Sequence, residues 1–323
     1  MIQRVLNKIN RSKSEFLFRY FPAFTDFSKS KLNKIIMYHG VDLVGDTTFN
    51  TRQTSVKCFE LQIQFLKKHC NVISLEDFFE KKFDDTKSNI AITFDDGYLN
   101  NYKYAKPILE KHQAYATFFI TGLNQTEDDI LWADFLNIVS KQTNESFQIK
   151  GMTFILKDGI YYNEKNESIY EIVKNKYPEY SFKKEIFEAL KQFDGFKNED
   201  KYTDYWKLMS DEQIIETSKS KFISIGSHGY HHNNLGKISM EDAVAELINS
   251  KNYLEKLTQK NVTSIGYPDG SYSRELVNKA DELGFKYQLA AEGFLFAEDI
   301  VDPRIRDRKG IYSCDSCGNQ LIR

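Results

Sequence analysis

Two short segments of this 323-residue chain carry side chains able to do chemistry together. The first is Thr93-Phe94-Asp95-Asp96-Gly97-Tyr98, directly after the apolar run Ile90-Ala91-Ile92. Two adjacent carboxylates at a strand end are candidates for chemistry, although Asp-Asp-Gly alone usually makes an ordinary turn. The second is His228-Gly229-Tyr230-His231-His232, which opens from the run Phe222-Ile223-Ser224-Ile225 and holds three of the chain's six histidines. His228 and His232, four apart, can face one side of a helical turn. A histidine pair by itself is more often structural. Joined by one carboxylate, it becomes a three-ligand site with a position left for water, the form taken by catalytic zinc and related divalent metals. His231 is spaced to point elsewhere.

These segments need a scaffold that brings strand ends together. From Ile35 onward, short apolar runs alternate with longer helical patterns, which predicts an α/β fold of βα units with a parallel sheet or barrel. The runs predict strands at Ile35–Tyr38, Val72–Ser74, Ile90–Phe94, Ala116–Thr121, Phe222–Ser227, Val262–Tyr267 and Tyr287–Ala290. Ser74, Ser210 and Ser239, each with a polar residue three positions on, mark helix starts, and Gly284 marks a stop. The chemical segments then sit at C-terminal strand ends, where α/β barrels assemble active sites. Tyr38-His39-Gly40 and Tyr267-Pro268-Asp269-Gly270 converge on the same rim. Between residues 123 and 208 the rhythm breaks, which marks an insertion of about a hundred residues on the rim. It contains a hairpin turning at Asp158-Gly159 and helical patterns near 167–176 and 183–193.

The chain resembles the polysaccharide deacetylases, the NodB-homology or carbohydrate esterase family 4 proteins, across residues 34–121 and 205–305, including Met37-Tyr38-His39-Gly40-Val41. The resemblance implies a distorted (β/α) barrel and a metal-dependent hydrolase that removes an N-acetyl group from an amino sugar or a short glycan or glycolipid. It implies Asp95 as catalytic base, and Asp96, His228 and His232 as ligands of a divalent metal, zinc foremost. Gly229 stands where Ser or Thr is commoner. The backbone donor for the oxyanion corresponds to the Asp269 amide after Pro268, with Tyr267 beside it. Two departures stand out. No Arg precedes Pro268 to orient the base, leaving Arg304 or Arg306 as replacements, with ordinary surface ion pairing the plainer reading of both. No histidine follows His232 to act as general acid, leaving His39, whose alternative is a structural role. The segment Ile130-Leu131-Trp132-Ala133-Asp134 is similar to a Trp-bearing helix in relatives associated with surface polysaccharide synthesis. A core aromatic is the plainer reading of Trp132. A carbohydrate-binding protein without turnover, and an amidase for a small non-sugar amide, are the alternatives; deformylation would need no different site.

The 44 basic and 46 acidic residues nearly cancel, so nothing in the charge points to nucleic acid. Residues 1–33 form a basic segment with Ile2, Val5, Leu6 and Ile9 at helical spacing, either a packed helix or a peripheral contact with anionic lipid. The remaining 34–323 is read as the barrel with its insertion. The absence of a secretory signal pattern or a long apolar run leads to a cytoplasmic expectation, with possible membrane association through that segment. Cys314 and Cys317 supply only half of a structural zinc site.

Overall fold

The computed structural model describes residues 31–311. Most of the basic N-terminal segment and the Cys314/Cys317 pair therefore lie outside the described residues. In chain order the strands are β1 (Asn33–Tyr38), β2 (Gly40–Asp42), β3 (Gln53–Ser55), β4 (Cys70–Ile73), β5 (Ser88–Phe94), β6 (Ala116–Ile120), β7 (Phe147–Ile149), β8 (Met152–Lys157), β9 (Ile160–Tyr162), β10 (Ile223–Ser227), β11 (Ser264–Gly266), β12 (Tyr287–Leu289), β13 (Ile305–Arg306) and β14 (Arg308–Gly310). The main sheet runs β13-β12-β11-β10-β6-β5-β1-β14, with β4 also on β5. Its pairings are parallel. β13 and β14, the two ends of that order, are consecutive in the chain with only Asp307 between them. The sheet thus curls back on itself as a distorted barrel.

Near-continuous apolar strands are what burial on both faces requires. Alternate side chains serve two cores: Ile35, Ala91, Phe119 and Leu289 pack with Phe78 and Phe79 of the helix Leu75–Phe79, while Ile36, Ile92 and Phe118 pack with residues of the outer helices. Ser74 caps that short helix by accepting from the Asp77 amide. Ser210 closes a full capping box with Gln213, and Ser239 caps the helix Met240–Thr258. The seven strands expected from sequence are all present, some shifted by a residue or two. β2, β3, β7, β13 and β14 are additions, too short to show a period.

The segment between β6 and β10 folds around a separate apolar core that includes Trp132, Phe154, Ile172, Phe182, Ile186 and Trp206. The hairpin β8–β9 forms where expected, extended by β7 into a three-stranded antiparallel sheet. Helices Ile169–Asn175 and Tyr180–Ala189 follow. Among the described residues, no helix is long and apolar enough to cross a membrane.

Candidate active site

Five strand ends deliver the site. Asp95 and Asp96 leave β5, with the Asp95 amide bonded to the Tyr38 carbonyl at 3.0 Å. His228 leaves β10, its amide bonded to the Ile120 carbonyl at 2.9 Å. His39 follows β1, Pro268 and Asp269 follow β11, and Arg308 begins β14. Asp96, His232 and Asp269 all have positive φ, at 74°, 51° and 52°. Such left-handed backbone is sparsely populated by non-glycine residues and concentrates at functional sites. Gly229 also has positive φ, 71°, which explains why a glycine serves in the His228–His232 loop.

Asp96, His228 and His232 present one ligand atom each within 4.8 Å of one another. The Asp96 Oδ1 lies 3.5 Å from His228 Nε2 and 3.3 Å from His232 Nε2. Metal bonds of about 2.0–2.2 Å in a tetrahedron put ligand atoms roughly 3.3–3.6 Å apart, so the spacing fits a zinc-sized ion. His228 Nδ1 donates to the Gly266 carbonyl at 2.7 Å. A carbonyl can only accept, so Nδ1 carries a proton and Nε2 is the nitrogen turned toward Asp96, the one that could serve as a ligand. His231 turns away, as its spacing implied: Nδ1 meets Glu246 Oε1 at 2.6 Å and its ring stacks on Tyr180 at 4.3 Å.

Asp95 is the acid that does not join the two histidines at ligand distance; its Oδ2 is 3.8 Å from His228 Nε2. Its carboxylate is gripped by Arg308, whose Nη1 and Nη2 reach Oδ1 and Oδ2 at 2.6 and 3.0 Å. Arg308 is 1% exposed and is tied down by a third bond, from Nε to the Ala290 carbonyl at 3.0 Å. Burial pushes the Asp95 carboxyl up, but the Arg308 guanidinium beside it more than offsets this and holds the group below its ordinary value, so that it is ionised. Gly266 makes room for this: a Cβ there would sit 3.2 Å from Arg308 Nη2 and from Phe119 Cγ.

Arg308 corrects the expectation placed on Arg304 and Arg306. Arg304 bonds Asp302 and Asn278, Arg306 bonds the Asp302 and Ile305 carbonyls, and neither reaches Asp95. Tyr267 is corrected as a substrate-binding side chain: it is buried, its hydroxyl donates to Gln288 at 2.6 Å, and its ring stacks on Tyr272. Pro268 packs near the Gly229 turn. The Asp269 carboxylate, an unwelcome neighbour for an oxyanion, is engaged by Lys174 Nζ at 2.8 Å.

His39 is also placed differently from a resting general acid. Its Nε2 receives a hydrogen bond from Arg52 at 2.9 Å. Burial and then the Arg52 charge push it down to about 4, so the ring is neutral near pH 7.

A cleft of about 350 Å³ opens over the site, bounded by the 47–52 loop, Asp96, His232 and Asp269 on the barrel and by Trp132, Tyr170 and Lys174 on the insertion. Trp132 is both a core side chain and a cleft wall, 5% exposed and packed against Tyr170. Sequence reading passed over Asp134 as a chemical group. It lines the cleft, accepts from the Tyr98 hydroxyl at 2.6 Å and from Asn50 at 3.2 Å, and is pushed up to about 8 by burial and the nearby Asp96.

This barrel, with two carboxylates and two histidines at its C-terminal rim, has the architecture of a deacetylase family. The chain belongs to the polysaccharide deacetylase family, whose model matches residues 82–288. A Bacillus subtilis (strain 168) protein named as a polysaccharide deacetylase, YxkH, is 21% identical over 267 residues, which cover 80% of this chain and 64% of that protein. The match thus spans less than two thirds of the relative's length. Among solved structures, the Streptococcus pyogenes deacetylase PplD in complex with acetate superposes with TM-score 0.57 at 19% identity, covering 90% of this chain and 97% of that one. A de-N-acetylase from Aggregatibacter actinomycetemcomitans gives 0.53 at 15% identity, covering 89% and 99%. At these identities the structural matches establish the fold.

Proposed function

We propose that this chain is a metal-dependent N-deacetylase of an acetylated amino sugar, or of a short glycan or glycolipid intermediate made during surface polysaccharide synthesis. The observation that carries the reading is the division of labour between adjacent carboxylates: Asp96 faces His228 and His232 at ligand spacing, while Asp95 is held apart by Arg308. Asp96, His228 and His232 would hold the ion, zinc foremost. When bound, such an ion supplies a Lewis-acid centre that eases ionisation of water and polarises the acetamide carbonyl.

The chain's own residues supply the rest. Asp95 accepts the proton of the attacking water and, once protonated, returns it to the departing amine, so one carboxyl serves as base and then acid. This assignment replaces His39, which accepts from Arg52 and lacks a proton at Nε2 in the resting protein. The Asp269 amide is the oxyanion donor, with Lys174 keeping the neighbouring carboxylate occupied. Trp132 and Tyr170 offer aromatic surface to a sugar ring. The binding-only alternative drew support from a missing orienting Arg and a missing late histidine; Arg308 stands in for the first, and the double use of Asp95 would stand in for the second.

The test is acetate release from short N-acetylglucosamine oligomers, with zinc or another divalent ion supplied. Activity in the wild type and a drop of about 10²–10⁴ in Asp95→Asn are expected. Equal turnover by Asp95→Asn would overturn the assignment of the base; formate release from formylated analogues alone would move the reaction to deformylation.

A further inference from the structure

The insertion touches the metal-site loop directly. One face of the helix Tyr180–Ala189 is anchored in the insertion's core through Phe182, Ile186 and Phe187. Tyr180 and Lys183, one turn apart, reach instead to the 228–233 loop of the barrel. The Lys183 ammonium, only 2% exposed, donates to the His232 carbonyl at 2.7 Å and to Asn233 Oδ1 at 2.8 Å. Tyr180 stacks on His231 with rings 24° from parallel. From the other side, buried Glu246 accepts from the Tyr230 and His231 amides, each at 2.8 Å, and from Asn233 Nδ2 at 3.1 Å. Asn233 is therefore held at both ends of its amide, between Lys183 and Glu246.

That grip falls on a strained residue. His232 has φ of 51°, a conformation an L-residue keeps only when its surroundings enforce it. Burying an ammonium is costly, so its place against one backbone carbonyl is a specific arrangement and not a default of packing. We infer that Lys183 is a positioning residue of the metal site: by holding the His232 carbonyl, the insertion sets the direction of the His232 ring, and ion affinity depends on the insertion being docked. This inference rests on the metal-site reading proposed above.

The experiment measures zinc dissociation constants for the full chain by competition with a chromophoric chelator, alongside thermal unfolding in chelator. Lys183→Met is expected to weaken zinc binding about 10–100-fold, the usual cost of losing a partner that orients a ligand. Phe187→Leu, in the same helix but facing the insertion core, is the control: it lowers the melting temperature and leaves the zinc constant within about twofold, since it touches no ligand-loop atom. If Lys183→Met does not fold, Lys183→Gln, which keeps a donor amide, is expected to lose about severalfold by the same argument. Wild-type affinity in a folded Lys183 variant overturns the inference, as does an equal loss in Phe187→Leu, which would make the effect one of general destabilisation. A wild type that takes up no zinc overturns the metal-site reading itself.

Discussion

Replacing Arg308 by Met removes the guanidinium that grips Asp95 while keeping much of its volume. Asp95 is 3% exposed and both oxygens meet Arg308, so the variant leaves a buried carboxylate without its main cationic partner. A neighbouring Arg lowers an Asp pKa by about 1–3 units, and its loss raises the folded-state value by that much, with burial acting in the same direction. The acid limb of kcat/KM should move up by about 1–3 pH units, which is a loss of about 10–1,000-fold on that limb that is recovered as pH rises. Stability follows the same linkage. A carboxyl held below its unfolded value contributes stability above that value and loses it as pH falls through the folded one. The deficit of Arg308→Met should therefore be largest near neutral pH, about 3–5 kcal/mol for breaking a buried pair, and shrink below about pH 4. Acetate release across pH, paired with denaturant unfolding, reads both. Asp95→Asn/Arg308→Met should be no slower than Asp95→Asn, because the two act as a unit. An acid limb that stays in place, or fully additive losses in the double variant, would refute the claim that Arg308 works through Asp95.

Gly266→Ala would press a methyl against Arg308 and Phe119, and should lower kcat while metal content stays at the wild-type level. Asp134 is raised to about 8 by burial first; its contribution to stability is full below its unfolded value and lost as pH rises through about 8. In metal-free protein, Asp134→Asn should accordingly gain on wild type between pH 5 and 8 in urea titrations, and parallel curves would contradict the assignment. Ile186→Ala, at a fully buried position of the insertion core, should cost about 2–5 kcal/mol by the same measurement.

The strand that carries Asp95 and Asp96 was legible because a parallel strand buried on both faces must be largely apolar, as Ile90–Phe94 and its neighbour Ala116–Ile120 are. The histidine pair and the turning away of His231 were legible from spacing, whereas the choice of Asp96 over Asp95 as the third ligand came only from the resemblance. Arg308 was not: it begins a three-residue strand, Arg-Lys-Gly, whose burial comes from closing the barrel beside β1 rather than from any apolar pattern. The state of His39 was hidden for a similar reason. Its partner Arg52 arrives because β2 pairs with β3 across a loop, a contact no local period records. Lys183 reads in sequence as one more surface lysine on an amphipathic helix, and only the docking of the insertion buries it against His232, 49 positions along the chain.

The measurement that bears most directly on the account is the metal content of the purified, untagged protein after zinc loading, beside Asp95→Asn and His228→Ala/His232→Ala. The account predicts about one equivalent in wild type and in Asp95→Asn, and loss in the double histidine variant, because Asp95 is a base and the histidines are ligands. Wild type that remains empty, or a double variant that keeps its full equivalent, would contradict it.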